Sequence, residues 1–152
     1  MITMKFSVRP GQGETSGFDL GDMLCAGALG EASSVGNIPD QGMMIYPSVT
    51  LLLDGLISLL KSREKVLRFT GVDTSFGLVF KVDKKGLIAV SAEKKLLDRV
   101  SQGELVQTVL QAAQQLAASS LSQLPGADAV RDDYLAALKD FRVLAEEWTA
   151  GP

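Results

Sequence analysis

The period of apolar and polar positions changes several times along this chain, and each change marks an element boundary. Residues 4–9, Met4-Lys5-Phe6-Ser7-Val8-Arg9, alternate apolar and polar and stop at Pro10-Gly11, as a half-buried strand does when it runs into a turn. From Gly11 to Gly42 no period survives. This stretch holds more than half of the chain's fifteen glycines, Pro39 and several serines, with short apolar pieces such as Met23-Leu24-Cys25-Ala26. Glycine inside a strand marks a bulge or a close backbone approach, so Phe18 to Ala32 reads as one or two strands.

Beyond residue 46 the pattern sharpens. Val49, Leu52, Leu53, Leu56, Ile57 and Leu60 recur at helical spacing and predict a helix over 47–61, with Pro47 in its first turn, where a missing N–H costs nothing. The period then drops to two, predicting an antiparallel meander over 65–100. Val66, Arg68 and Thr70 oppose Leu67 and Phe69; Phe76 to Val82 meets Leu87 to Ser91 across the loop Asp83-Lys84-Lys85-Gly86; Lys95 to Val100 extends the meander. Ser101 and Glu104 have the spacing of a capping box and open a helix over 102–122 with a wide apolar face. Pro125-Gly126 ends it. Asp128 caps a last helix over 128–148, whose apolar side carries Val130, Tyr134, Leu138, Phe141, Ala145 and Trp148, the tryptophan anchoring its end.

Helices segregated from strands joined by short turns imply an α+β fold, an antiparallel β-meander with three helices packed on one face. The chain reads as a single domain over 1–152, with 1–46 supplying a strand and the glycine-rich segment. Its length allows roughly 70% of the unfolded surface to be hidden, and 46% hydrophobic with 22% charged residues is ordinary globular usage. One cysteine, Cys25, cannot form an internal bridge, which points to a reducing compartment and a cytoplasmic location. The first residues lack the apolar core of a signal peptide, and no stretch reads as a membrane span.

The net charge of −3 is layered. Residues 1–60 carry two Lys/Arg and six Asp/Glu, residues 61–99 ten and five, and residues 100–152 three and seven, giving −4, +5 and −4. Acidic ends disfavour a phosphate backbone as partner. The basic middle places Lys81, Lys84, Lys85, Lys94 and Lys95 around the hairpin as a basic edge. Lysines there discourage strand-to-strand aggregation, and the aromatics that stack on bases are not interleaved with them, so no nucleic-acid binding is expected.

The chain contains no histidine, which removes imidazole-based catalysis, and with one cysteine a Cys/His zinc site cannot be assembled. A serine–lysine arrangement survives through Ser91 with Lys94 or Lys95. The glycines Gly11, Gly13 and Gly17 lack both the spacing and the Gly-Lys-Ser/Thr end of a phosphate loop. Asp19 and Asp22 do not match the alternate-position ligands of a calcium loop. No metal and no cofactor are therefore expected. What remains is an irregular segment rich in carboxylates, and irregular segments often carry function.

Taken together, the run Ser48 to Leu60, the hairpin Leu78 to Val90, the helix start Gly103-Glu104-Leu105-Val106 and the late Tyr134, Leu138 and Trp148 give a layout over residues 45–148. It resembles the small immunity proteins of bacterial polymorphic toxin systems. The resemblance implies a non-enzymatic, cytoplasmic protein, monomer or homodimer, that neutralises a cognate protein toxin by covering its active site or holding it inactive. An acidic segment approaching a basic cleft would gain association rate, which makes Glu14, Asp19, Asp22, Glu31 and Asp40 the candidate partner contacts. Two other classes stay open: an adaptor or secretion-chaperone subunit, and a small enzyme using carboxylates or Ser/Lys.

Overall fold

A computed structural model describes residues 1–149. The chain runs β1 (Thr3–Val8), β2 (Leu20–Gly27), β3 (Gly30–Ser33), β4 (Met43–Met44), α1 (Ile45–Lys61), β5 (Val66–Thr70), β6 (Gly77–Val82), β7 (Ile88–Ala92), β8 (Lys95–Val100), α2 (Gln102–Ser120), a short 3-10 turn over Leu121–Gln123, and α3 (Ala129–Thr149). This is an α+β fold with two antiparallel sheets. The meander β5-β6-β7-β8 forms one. The other is built on β2, which pairs β1 along one side and both β3 and β4 along the other. The glycine-rich segment thus makes two strands of a separate sheet.

Local chemistry explains the element ends. At the β6–β7 turn the Asp83 carboxylate accepts the Lys85 and Leu87 N–H groups, and Gly86 adopts φ +80°, a conformation that glycine reaches without strain. The tighter β7–β8 turn places Glu93 and Lys94 at φ 49° and 67°, so both of its central residues are left-handed. Because the two turns lie at opposite ends of the sheet, Lys84 and Lys85 are separated from Lys94 and Lys95. The single basic edge expected from the sequence does not form.

Helix α1 starts at Ile45, two residues before Pro47. Ser48, buried, donates to Met44 O at 2.7 Å and accepts the Val72 N–H at 2.8 Å, fastening this helix start to the loop after β5. Ser101 Oγ accepts the Glu104 N–H at 3.1 Å as expected of a cap. The other half of the capping box is replaced: Glu104 accepts the Ile2 N–H at 2.9 Å and ties the start of the chain to α2. Asp128 Oδ1 accepts the Val130 and Arg131 N–H groups, and its second oxygen accepts the Gly17 N–H.

The buried hydrophobic residues form one cluster running from Ile2 to Ala145. Leu52, Leu53 and Leu56 of α1 belong to it together with Phe80, Ile88 and Val90 of the meander and Leu105 and Val109 of α2. Helix α1 touches β1, β2 and β5, and α2 lies on β1. The three helices do not share one sheet face directly: α3 rests on α1 and α2. Tyr134 anchors it, edge-on to the Tyr46 ring at 6.0 Å, with its hydroxyl donating to Ala113 O at 2.6 Å. Trp148, read from the sequence as an anchor, keeps 40% of its surface exposed.

Candidate interaction surface

Arg9 leaves the end of β1 as a half-buried cation between two carboxylates. Its Nε and one terminal nitrogen donate to the two oxygens of Asp22 at 2.9 Å each, and its terminal nitrogens donate to both oxygens of Asp40 at 2.8 Å. Asp22 Oδ1 also accepts the Ser34 hydroxyl at 2.7 Å, and that hydroxyl accepts the Met23 N–H. Asp22 and Ser34 are both buried. A buried carboxylate is tolerated only when paired and hydrogen-bonded, and the fork of an arginine provides two-point contact to each acid.

The electrostatics follow the geometry. Hydrogen bonding to Arg9 holds Asp22 below the ordinary carboxylate range despite its burial. Asp40 is held well below that range, first by Arg9 and then by the Gly42 N–H. Arg9 is driven in the opposite direction, chiefly by Asp40. A side chain at position 42 would meet the guanidinium carbon at 2.5 Å, so glycine there lets the loop close over the arginine.

This clamp holds both ends of the loop 34–42. Within the loop, the Val35 N–H donates to Ser33 Oγ and the Asn37 side chain donates to Ser33 O. The loop carries a cis Ile38–Pro39 peptide bond. Val35 is 63% and Ile38 99% exposed, and Leu29 at the β2–β3 turn is 61% exposed. Asn37 and Gln41 line an open groove of about 350 Å³, whose other wall includes Ser75, Glu93 and Lys95. The result is a polar groove beside apolar side chains on a pinned loop.

The five carboxylates expected to meet a partner fall into different environments. Glu14 and Glu31 are exposed, and Glu31 lines the groove. Asp19 is half-buried and accepts the Ser16 N–H at 3.1 Å. Asp40 is exposed but engaged by Arg9. Asp22 is only 8% exposed and holds β2 to β1 and to Ser34, so it is a structural residue rather than a surface contact. The structure brings Asp22 and Asp40 together through Arg9 and leaves Glu14 and Asp19 on a different loop.

A second buried acid, Asp98, accepts the Ala28 and Arg99 N–H groups and pairs with the N-terminal ammonium at 3.5 Å. Its carboxyl is lowered, first by the Ala28 N–H. Burial pushes the Cys25 thiol up to about 12, which keeps it protonated and unreactive. Lys95 extends along Gly30 of β3, while Ser91 sits in mid-strand opposite Leu96. Among the described residues no group of His, Cys, Asp or Glu side chains is placed to hold a metal ion. No helix among them is long and apolar enough to cross a membrane.

Sequence reasoning overlooked Arg9, Val35 and Ile38. The signal for Ile38 was available: a lone large aliphatic residue before proline, inside a polar run with no period, has no predicted element to bury it. No family model matches the chain, and neither a curated protein nor a solved structure matches it.

Proposed function

We propose that this chain is a non-enzymatic protein-binding domain that acts as an immunity protein, neutralising a cognate bacterial toxin, with the loop 34–42 as its recognition element. The observation that carries the reading is Ile38, 99% exposed on a loop that Arg9 clamps through Asp40 and Asp22. A large aliphatic side chain on a preorganised loop loses little conformational freedom when a partner covers it, which is how interface anchors gain affinity. Val35 on the same loop widens the apolar contact, and Glu31 in the neighbouring groove provides a charge for a basic rim on the partner. The layered charge and the layout resemblance support a toxin as that partner.

The test is co-expression with the product of the adjacent reading frame in a host that this product kills. The wild-type chain should restore growth. Ile38→Asp should abolish rescue, while its melting transition stays within about 0.5 kcal/mol of wild type, as expected for an exposed site. Full rescue by Ile38→Asp, or a neighbouring product without toxicity, would overturn the reading.

A further inference from the structure

The second sheet ends on β5, which pairs with β6 and with no other strand among the described residues. At its two ends the Val82 N–H donates to Lys65 O and the Gly71 N–H donates to Phe76 O. Hydrogen-bonded residues alternate in antiparallel pairing. The odd-numbered residues of β5 therefore turn their backbone groups towards β6, and Val66, Arg68 and Thr70 turn theirs away from the sheet. The side chains of these same three residues are exposed and stand on the open face, opposite the buried Phe69. Lys81 and Arg99 share that face, since the register aligns Val66, Lys81, Ala89 and Arg99 in one row. None of the three cations Arg68, Lys81 and Arg99 enters an ion pair among the described residues.

We infer that β5 is a docking edge for an extended acidic segment of a partner protein, which adds as a further strand and sets carboxylates opposite Arg68 and towards Lys81. In strand addition the main chain supplies affinity and alternate side chains supply specificity. Here the unpaired backbone groups and Arg68 lie on the edge strand itself and Lys81 one strand further in, so one alternating acidic strand satisfies both. Arg99, three strands from β5, adds only to the positive field of the face. A second copy of this chain fits poorly, because β5 paired along its full length with a two-fold mate places Arg68 opposite Arg68, and the shifted registers that avoid this shorten the pairing. Single-stranded nucleic acid also fits poorly: Phe69, Phe76 and Phe80 are all buried, so they offer no stacking platform on this face. The edge belongs to a different sheet from the Ile38 loop, and each contact is testable with the other intact.

The test uses the full chain, isotopically labelled, with a short synthetic peptide in which glutamate alternates with threonine. A control peptide has the same composition but its glutamates are grouped at one end. On saturation with the alternating peptide, amide exchange at Val66, Arg68 and Thr70 should slow by at least about tenfold, and the control should leave it unchanged. Arg68→Glu should weaken binding by about tenfold or more, with an unaltered melting transition because the side chain is exposed. Unchanged exchange at these three amides, equal protection by the control, or tighter binding of a single-stranded oligonucleotide to the same face would overturn the inference.

Discussion

In the second sheet four consecutive strands meet through short turns, and at the β6–β7 turn the hydrogen bonds come from the turn's own residues Asp83 and Gly86. In the first sheet β1 and β2 are joined by the loop 9–19, and β3 and β4 by the loop 34–42. The pairing there is secured by a side-chain network of Arg9, Asp22, Ser34 and Asp40 contributed from four places in the sequence. The contrast separates two ways of holding a sheet. Where tight hairpins follow one another, as from β6 to β8, an apolar inner face and turn chemistry are enough. Where long loops intervene, buried polar ties hold the strands in place, and the loop they pin becomes a surface able to present Ile38.

The largest expected effect tests the apolar side of this contrast. Phe80, fully buried in the central strand β6, should cost about 4 kcal/mol when replaced by alanine, read from urea unfolding. Asp22→Ala tests the polar side. It leaves Arg9 facing one carboxylate and Ser34 without its acceptor, and should cost about 3 kcal/mol. Adding Arg9→Met to Asp22→Ala should cost less than the two single losses summed, since both substitutions break the same Arg9–Asp22 contact. A loss below about 1 kcal/mol for Asp22→Ala would mean that the first sheet does not depend on its clamp.

The same network fixes the sign of the acid response. Asp22 and Asp98 both titrate below the ordinary value of 3.8, so their stabilisation is complete above that value and is lost as pH falls through their folded-state values. Asp22→Ala should flatten this acid slope in unfolding titrations, and a slope equal to wild type would place the dependence elsewhere. A smaller effect is expected where the two sheets meet. Gly27 packs so closely on β8 that an added Cβ would lie 2.4 Å from Leu97 O, and Gly27→Ala should cost about 2 kcal/mol by thermal melting. It should also speed exchange of the Leu29 N–H, which donates to Leu97 O across that junction.

Much of the fold was legible in the sequence because its elements repeat locally. The meander strands, α2 and α3 all appear where the period and the caps Ser101 and Asp128 place them, and α1 begins within two residues of its expected start. The segment 11–42 resisted reading because its strands are justified by contacts made elsewhere. Gly21 needs the approach of Ser7 O, Gly27 that of Leu97 O, and Asp22 is buried only because Arg9 and Ser34 reach it. The carboxylates of the candidate surface were visible as acidic letters. Which of them face solvent was not, since burial is set by neighbours distant in the chain.

The amino-acid sequence by itself determined the helix and strand periods, the turn at Asp83 to Gly86, the absence of histidine and the layered charge, all of which are properties of composition and short-range order. Only the tertiary structure decided that the glycine-rich segment forms a second sheet, that Asp22 is a buried tie while Ile38 stands in solvent, and that Arg68, Lys81 and Arg99 share one open face. The physical reason is the same in each case. Periodicity fixes which side of its own element a residue occupies, whereas exposure and pairing depend on what other elements bring to that side.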